Sequence, residues 1–203
     1  MNDTGEIIAK TAVLYPNVVI GKDVVIEDFC IIGLPFRGYN NEETRIGDRA
    51  IIRSHTVIYA GNQIGCDFQT GHKANIRELN TIGDTVSIGT LSNLEHHIQI
   101  GDHVRIHTQA FIPEYTVLED HVWVGPNAVL TNAKFPQHPE AKQNLSAPYL
   151  EHHVRIGANS TVLPGVRIGA HSLIGAGSLV AQDLPPGIIA VGSPARYLRD
   201  VHY

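Results

Sequence analysis

The chain has little of what usually fastens a small protein apart from aliphatic side chains. Its 203 residues contain two cysteines, Cys30 and Cys66. They have neither metal nor redox spacing, which excludes a disulfide framework and a cysteine-rich zinc module. Aromatic residues make up 6% of the chain, with one tryptophan and one methionine. That scarcity beside abundant Ile and Val suits narrow, stacked β structure better than a helix-packed core. No apolar run approaches a membrane span, and Met1 to Lys10 lacks the apolar segment of a signal peptide. Positive charge is not in excess: 15 Lys and Arg face 20 Asp and Glu, for a net charge of −5. A nucleic-acid footprint is therefore not expected. These absences lead us to expect one cytoplasmic domain over residues 1–203, with no membrane or nucleic-acid partner.

What is present is a six-residue period. Every sixth residue from Ile46 to Leu130 is Ile, Leu or Val at fourteen of fifteen positions, with Thr70 the exception. The same phase holds upstream at Ile8, Leu14, Ile20, Ile26 and Ile32, and resumes at Leu150, Ile156, Val162, Ile168, Ile174 and Val180. The next residue is often glycine, as at Gly47, Gly65, Gly83 and Gly101. Glycine there points to corners needing unusual φ/ψ or a close backbone approach. A period of six fits neither a helix of 3.6 residues per turn nor a hairpin array. It fits short strands joined by tight corners and wound into a prism, aliphatics inside. Two stretches break the phase and are expected as loops, 33–45 and 131–149. The segment 185–203 ends the winding, and Pro194 to Asp200 is expected as a short C-terminal helix covering the open end.

Repeats of the form Ile-Gly-x-x-x-x over most of the chain resemble the hexapeptide-repeat acyltransferases. The resemblance implies an all-β, left-handed parallel β-helix with three hexads per coil, so that equivalent residues lie 18 apart, and it implies a homotrimer. Sorted on that coil, two corners carry glycine after the inward aliphatic. The third instead reads Tyr59, Arg77, Glu95, Pro113, Thr131, and its next slot reads Ala60, Glu78, His96, Glu114, Asn132. A histidine thus stands between carboxylates one coil below and one above, an arrangement able to raise proton affinity and hold one ring orientation.

The stretch Leu94-Glu95-His96-His97-Ile98-Gln99-Ile100-Gly101 resembles the catalytic segment of PglD- and NeuD-type sugar acetyltransferases and of LpxA and LpxD. That implies His96 as general base. Relatives carry an acidic residue after the histidine, whereas this chain has His97, so the orienting carboxylate falls to Glu114, Glu78 or Glu95. Glu95, His97, Tyr115 and Asn132 are candidates for substrate contact. The segment Ile156 to Pro164, then Ile174-Gly175-Ala176-Gly177-Ser178, resembles the coenzyme A end of sugar acetyltransferases. It implies Ala158, Ala176 and Gly177 along the pantetheine arm. The ending Gly192-Ser193-Pro194-Ala195-Arg196 implies Arg196 on a phosphate.

Together these imply transfer of a short acyl group from acetyl-CoA to the amine of a nucleotide-linked amino sugar, with no metal, in polysaccharide biosynthesis. Residues 33–48 resemble an LpxA loop and favour instead an acyl-carrier-protein donor and a UDP-sugar. A non-catalytic scaffold is a further alternative. So is a metalloenzyme like the γ-class carbonic anhydrases, whose close histidine pair His103 and His107 imitate with different spacing. His138, His152, His153 and His171 read as surface residues.

Overall fold

The computed structural model describes residues 7–202. The expectations for the first six residues and for Tyr203 lie outside them. Among the described residues, twenty-eight short strands form three sheets of eleven, nine and eight strands. The first face begins at Ile7–Ile8 and includes Ser87–Ile88, Arg105–Ile106 and Trp123–Val124; the second includes Asn75–Ile76, Asn93–Leu94 and Phe111–Ile112; the third includes Thr81–Ile82 and Gln99–Ile100. Each strand pairs in parallel with its equivalent one coil on, as in Ile76↔Leu94 and Leu94↔Ile112. This is the left-handed parallel β-helix that the family resemblance implies.

The inward position of each strand forms the core. Ile58, Ile76, Leu94, Ile112 and Leu130 are all fully buried on the second face. A column of small residues fills the first-to-second corner, with Thr56, Ala74, Ser92 and Ala110 all buried. The hydroxyl of Ser92 donates to the His107 carbonyl at 2.8 Å, so burying it leaves no polar orphan. Thr70, the polar break in the aliphatic phase, accepts from the Arg53 amide at 2.9 Å.

Of the two roles open to the corner glycines, close approach is the one used. A Cβ on Gly83 would lie 2.3 Å from Asp102 Oδ1, whereas the left-handed backbone falls two residues later on Thr85, at φ 58°. Aspartates rail this third-to-first corner. Asp102 Oδ1 accepts from the Asp84 amide at 2.7 Å, and Asp120 Oδ1 from the Asp102 amide at 2.8 Å.

The inserted loops are slightly shorter than expected, because Ile31–Leu34, Thr44–Ile46 and Tyr149–Leu150 are strands. The C-terminal helix is corrected outright. Ala195–Asp200 is a strand that pairs antiparallel with Ile188–Gly192, and no helix occurs among the described residues. Ile188–Gly192 extends the first face beyond Leu173–Ile174 and leaves a row of unpaired backbone groups. A returning strand satisfies those groups; a helix would not. Gly192, at φ 101°, makes the reversal. Among the described residues, no helix is long and apolar enough to cross a membrane.

Candidate functional site

The corner between the second and third faces is built from below by buried amides. Asn80 is 1% exposed. Its Nδ2 donates to the Arg77 carbonyl and its Oδ1 accepts from the Ile98 amide, both at 2.7 Å. His97 and Tyr115 turn the corner in the left-handed region at φ 56° and 66°. Their amides donate to the carbonyls of Glu78 and His96, each at 3.3 Å. Glu78, His96 and Glu114 therefore stand one above another, in successive coils.

His96 keeps a quarter of its side chain exposed, at 25%. Its Nδ1 lies 2.9 Å from His97 Nδ1, and its Nε2 lies 3.9 Å from Glu114 Oε1. Tyr115 stands edge-on to the His96 ring at 5.7 Å and inclined to the His97 ring at 5.5 Å. Asn132, where the second loop departs, is buried and donates from Nδ2 to Glu114 Oε2 at 2.7 Å.

The two coils do not flank the histidine symmetrically. Glu78 is 6% exposed and both its oxygens are taken by Arg77, at 2.7 and 2.8 Å. Burial, the largest single influence, would raise its pKa; the Arg77 fork, a backbone hydrogen bond and the neighbouring positive charge together hold the carboxyl below its ordinary value. Glu95 accepts from Arg77 at 3.3 Å and from Asn93 at 3.0 Å. Of the three candidate orienting carboxylates, Glu114 faces His96 Nε2, whereas Glu78 and Glu95 hold Arg77, and His97 stands beside His96 Nδ1. Partial burial, then the charge of neighbouring His96, lowers the pKa of His97 and favours its neutral form. Arg77 and Asn80 were not singled out from sequence. The only available signal was their place on the glycine-free corner.

The other expected residues lie apart. Ala158 and Ala176 line up on the first-to-second corner, where the Gly177 amide donates to the Ala158 carbonyl at 2.8 Å. Gly157 and Ala176 help line an apolar cavity of about 330 Å³ that also takes in Trp123, Arg155 and Leu173. Arg196 is exposed on the terminal hairpin, opposite Val191. Within one chain, the His96 corner and this line of small residues are on different edges of the prism. Three coils separate the strand Ser87–Ile88, which leads into the His96 segment, from Arg155–Ile156, which leads into Ala158. That is about 14 Å along the axis at about 4.8 Å per coil. His103 and His107 do not converge: His103 stacks on His121 at 4.8 Å, and His107 packs on Trp123 at 4.6 Å from another corner.

Coil geometry defines a parallel β-helix of hexapeptide repeats. Residues 147–182 match the family model described as bacterial transferase hexapeptide (six repeats). That match covers 36 of the 203 residues, all within the last coils of the winding. It is similar to a galactoside O-acetyltransferase of Lactococcus lactis subsp. lactis (strain IL1403), 42% identical over 82 residues, which is 38% of this chain and 40% of the relative. It is also similar to a 2,3,4,5-tetrahydropyridine-2,6-dicarboxylate N-acetyltransferase of Clostridium perfringens (strain SM101 / Type A), 44% identical over 52 residues, which is 26% of this chain and 22% of the relative. The chain thus spans well under half of these relatives. In fold it resembles the polySia specific acetyltransferase NeuO, with a TM-score of 0.51 at 17% identity, covering 97% of this chain and 82% of that one.

Proposed function

We propose that this chain is an acetyltransferase that moves an acetyl group from acetyl-CoA to the amine of a nucleotide-linked amino sugar, with His96 as general base. The observation that carries the reading is the His96–His97 contact. A neutral His97 accepts a hydrogen bond from His96 Nδ1–H, which leaves the lone pair on His96 Nε2. His97 thereby fixes the tautomer and orientation of the imidazole, without the negative charge that a carboxylate would supply. Glu114 Oε1, 3.9 Å from Nε2, is placed to receive the amine beside the base.

In the reaction the amine nitrogen attacks the thioester carbonyl and forms the C–N bond. Its proton passes to His96 Nε2. The C–S bond breaks and the proton goes on to the departing thiolate. A positioned base of this kind supplies roughly 10²- to 10⁴-fold in rate. Tyr115 packs against the His96 ring and Asn132 holds Glu114, while Glu95 holds Arg77.

The apolar line of Ala158, Ala176 and Gly177 suits a pantetheine arm, and Arg196 suits a phosphate. Because that line and His96 occupy different edges, a complete site needs a neighbouring copy. A homotrimer with three shared clefts meets the requirement.

One observation favours a second acceptor. The relative with the longer of the two alignments is named for acetyl transfer to a galactoside oxygen, and His96 can serve a hydroxyl by the same steps. A panel of amino-sugar nucleotides and plain sugars, with acetyl-CoA and thiol detection, separates amine from hydroxyl. His96→Ala is expected to keep coenzyme A binding and lose turnover by roughly 10²- to 10⁴-fold. Undiminished turnover in His96→Ala sinks the mechanism.

A further inference from the structure

The third-to-first corner carries a column of histidines unrelated to the His96 site. Its left-handed turn position is occupied by His103, His121, His153 and His171 in four successive coils, at φ 58°, 60°, 60° and 61°. Their rings follow one another at 4.8, 4.6 and 4.7 Å, close to the spacing of the coils. In the lower coils the preceding residue is the railing aspartate, Asp102 or Asp120, busy with a backbone amide. Above the 131–148 loop that residue becomes His152. Capping the backbone passes to Glu119, which accepts from the His152 amide at 2.9 Å, and to Glu151, which accepts from the Ala170 amide at 2.8 Å.

Released from the rail, His152 turns toward the column. Its Nδ1 is 3.3 Å from His153 Nδ1, and its ring meets that of His171 edge-on at 4.9 Å. Ligand nitrogens of His152, His153 and His171 all lie within 4.8 Å of one another. Two nitrogens sharing a tetrahedral Zn²⁺ at about 2.0–2.1 Å stand roughly 3.3 Å apart, which the His152–His153 pair already satisfies. Side-chain rotation of exposed His171 supplies the third. Nearby carboxylates are engaged: Glu151 with Arg167 and the Ala170 amide, Glu119 with Tyr149 and the His152 amide. The available donors are therefore all imidazole, which selects zinc, nickel or copper over magnesium or calcium.

We propose that His152, His153 and His171 bind one borderline first-row divalent cation, with water in the remaining position. The ion joins the coil that follows the second loop to the next coil, where the aspartate rail is interrupted.

The test uses untagged full-length protein stripped of metal, titrated with ZnCl₂ by calorimetry and melted with and without zinc. Saturable binding and a raised melting temperature are expected, with no response to MgCl₂. His153→Asn and His171→Asn keep a residue that tolerates the left-handed backbone, and each should weaken zinc binding at least roughly tenfold. His152→Ala should do the same without touching a left-handed position. His138→Ala, in the loop, should change nothing. No saturable binding up to millimolar zinc, or binding unchanged in all three site variants, overturns the proposal.

Discussion

Arg77→Met separates the electrostatic part of the His96 corner from its packing. The arginine places two N–H groups on Glu78 at 2.7 and 2.8 Å, and Glu78 is 6% exposed. Breaking a fully buried ion pair costs about 3–5 kcal/mol, because the abandoned charge stays buried. Here the Arg77 side chain is 34% exposed, so water screens part of the interaction and about 2 kcal/mol is the better figure near neutral pH.

The sign of the pH dependence is the sharper test. In the natural protein Glu78 has a folded pKa below its ordinary 4.5. Its stabilising contribution is present above that value and is lost as pH falls through the folded pKa. Without Arg77, burial dominates and raises the folded pKa. The variant then loses stability as pH rises through the interval above about 4.5. The gap between the two proteins should be widest near pH 7 and close toward pH 4. Urea denaturation at equal chain concentration, at both pH values, reads it directly. An equal gap at both would show that the loss came from packing, for instance against the Tyr59 ring 5.3 Å away, and would refute the charge argument.

Stability of metal-free protein should fall as pH drops below about 6.5, because His97, His107 and His153 all have folded pKa values below that ordinary one. Thermal melts in chelator across pH 7.5 to 5.5 check it, His153→Asn should flatten the slope, and a melting temperature that rises on acidification contradicts it. Gly157→Ala should destabilise by about 1–3 kcal/mol, since its Cβ would sit 2.4 Å from the Ala176 backbone nitrogen. Gly177→Asn, at φ 69° with open space around it and Asn159 as its equivalent one coil earlier, should change chemical-denaturation stability by no more than about 0.5 kcal/mol.

Strand register was legible because one residue type repeats at one phase. Ile76, Leu94 and Ile112 are 18 apart in the chain and meet in the sheet. Ala195–Asp200 was misread because Ala, Arg and Leu favour helix locally, while the open strand edge that decides the matter is a tertiary fact. His96 stood out by its corner. Its contact with His97 did not, because ring orientations at a left-handed turn are not encoded in spacing. The histidine column was concealed by the insertion: His121 and His153 are 32 residues apart, one coil of 18 plus 14 inserted, so a regular search steps past the pair.

A stack whose every layer resembles the last has no intrinsic length. Each finished turn exposes a template for another, whether from its own chain or from a stranger. By running backwards, Ala195–Asp200 offers newcomers an outer rim of reversed polarity, studded with exposed Arg196, Arg199 and Asp200. Charged side chains on an edge strand oppose pairing with another chain, so along that side the hairpin works against the end-to-end addition of copies.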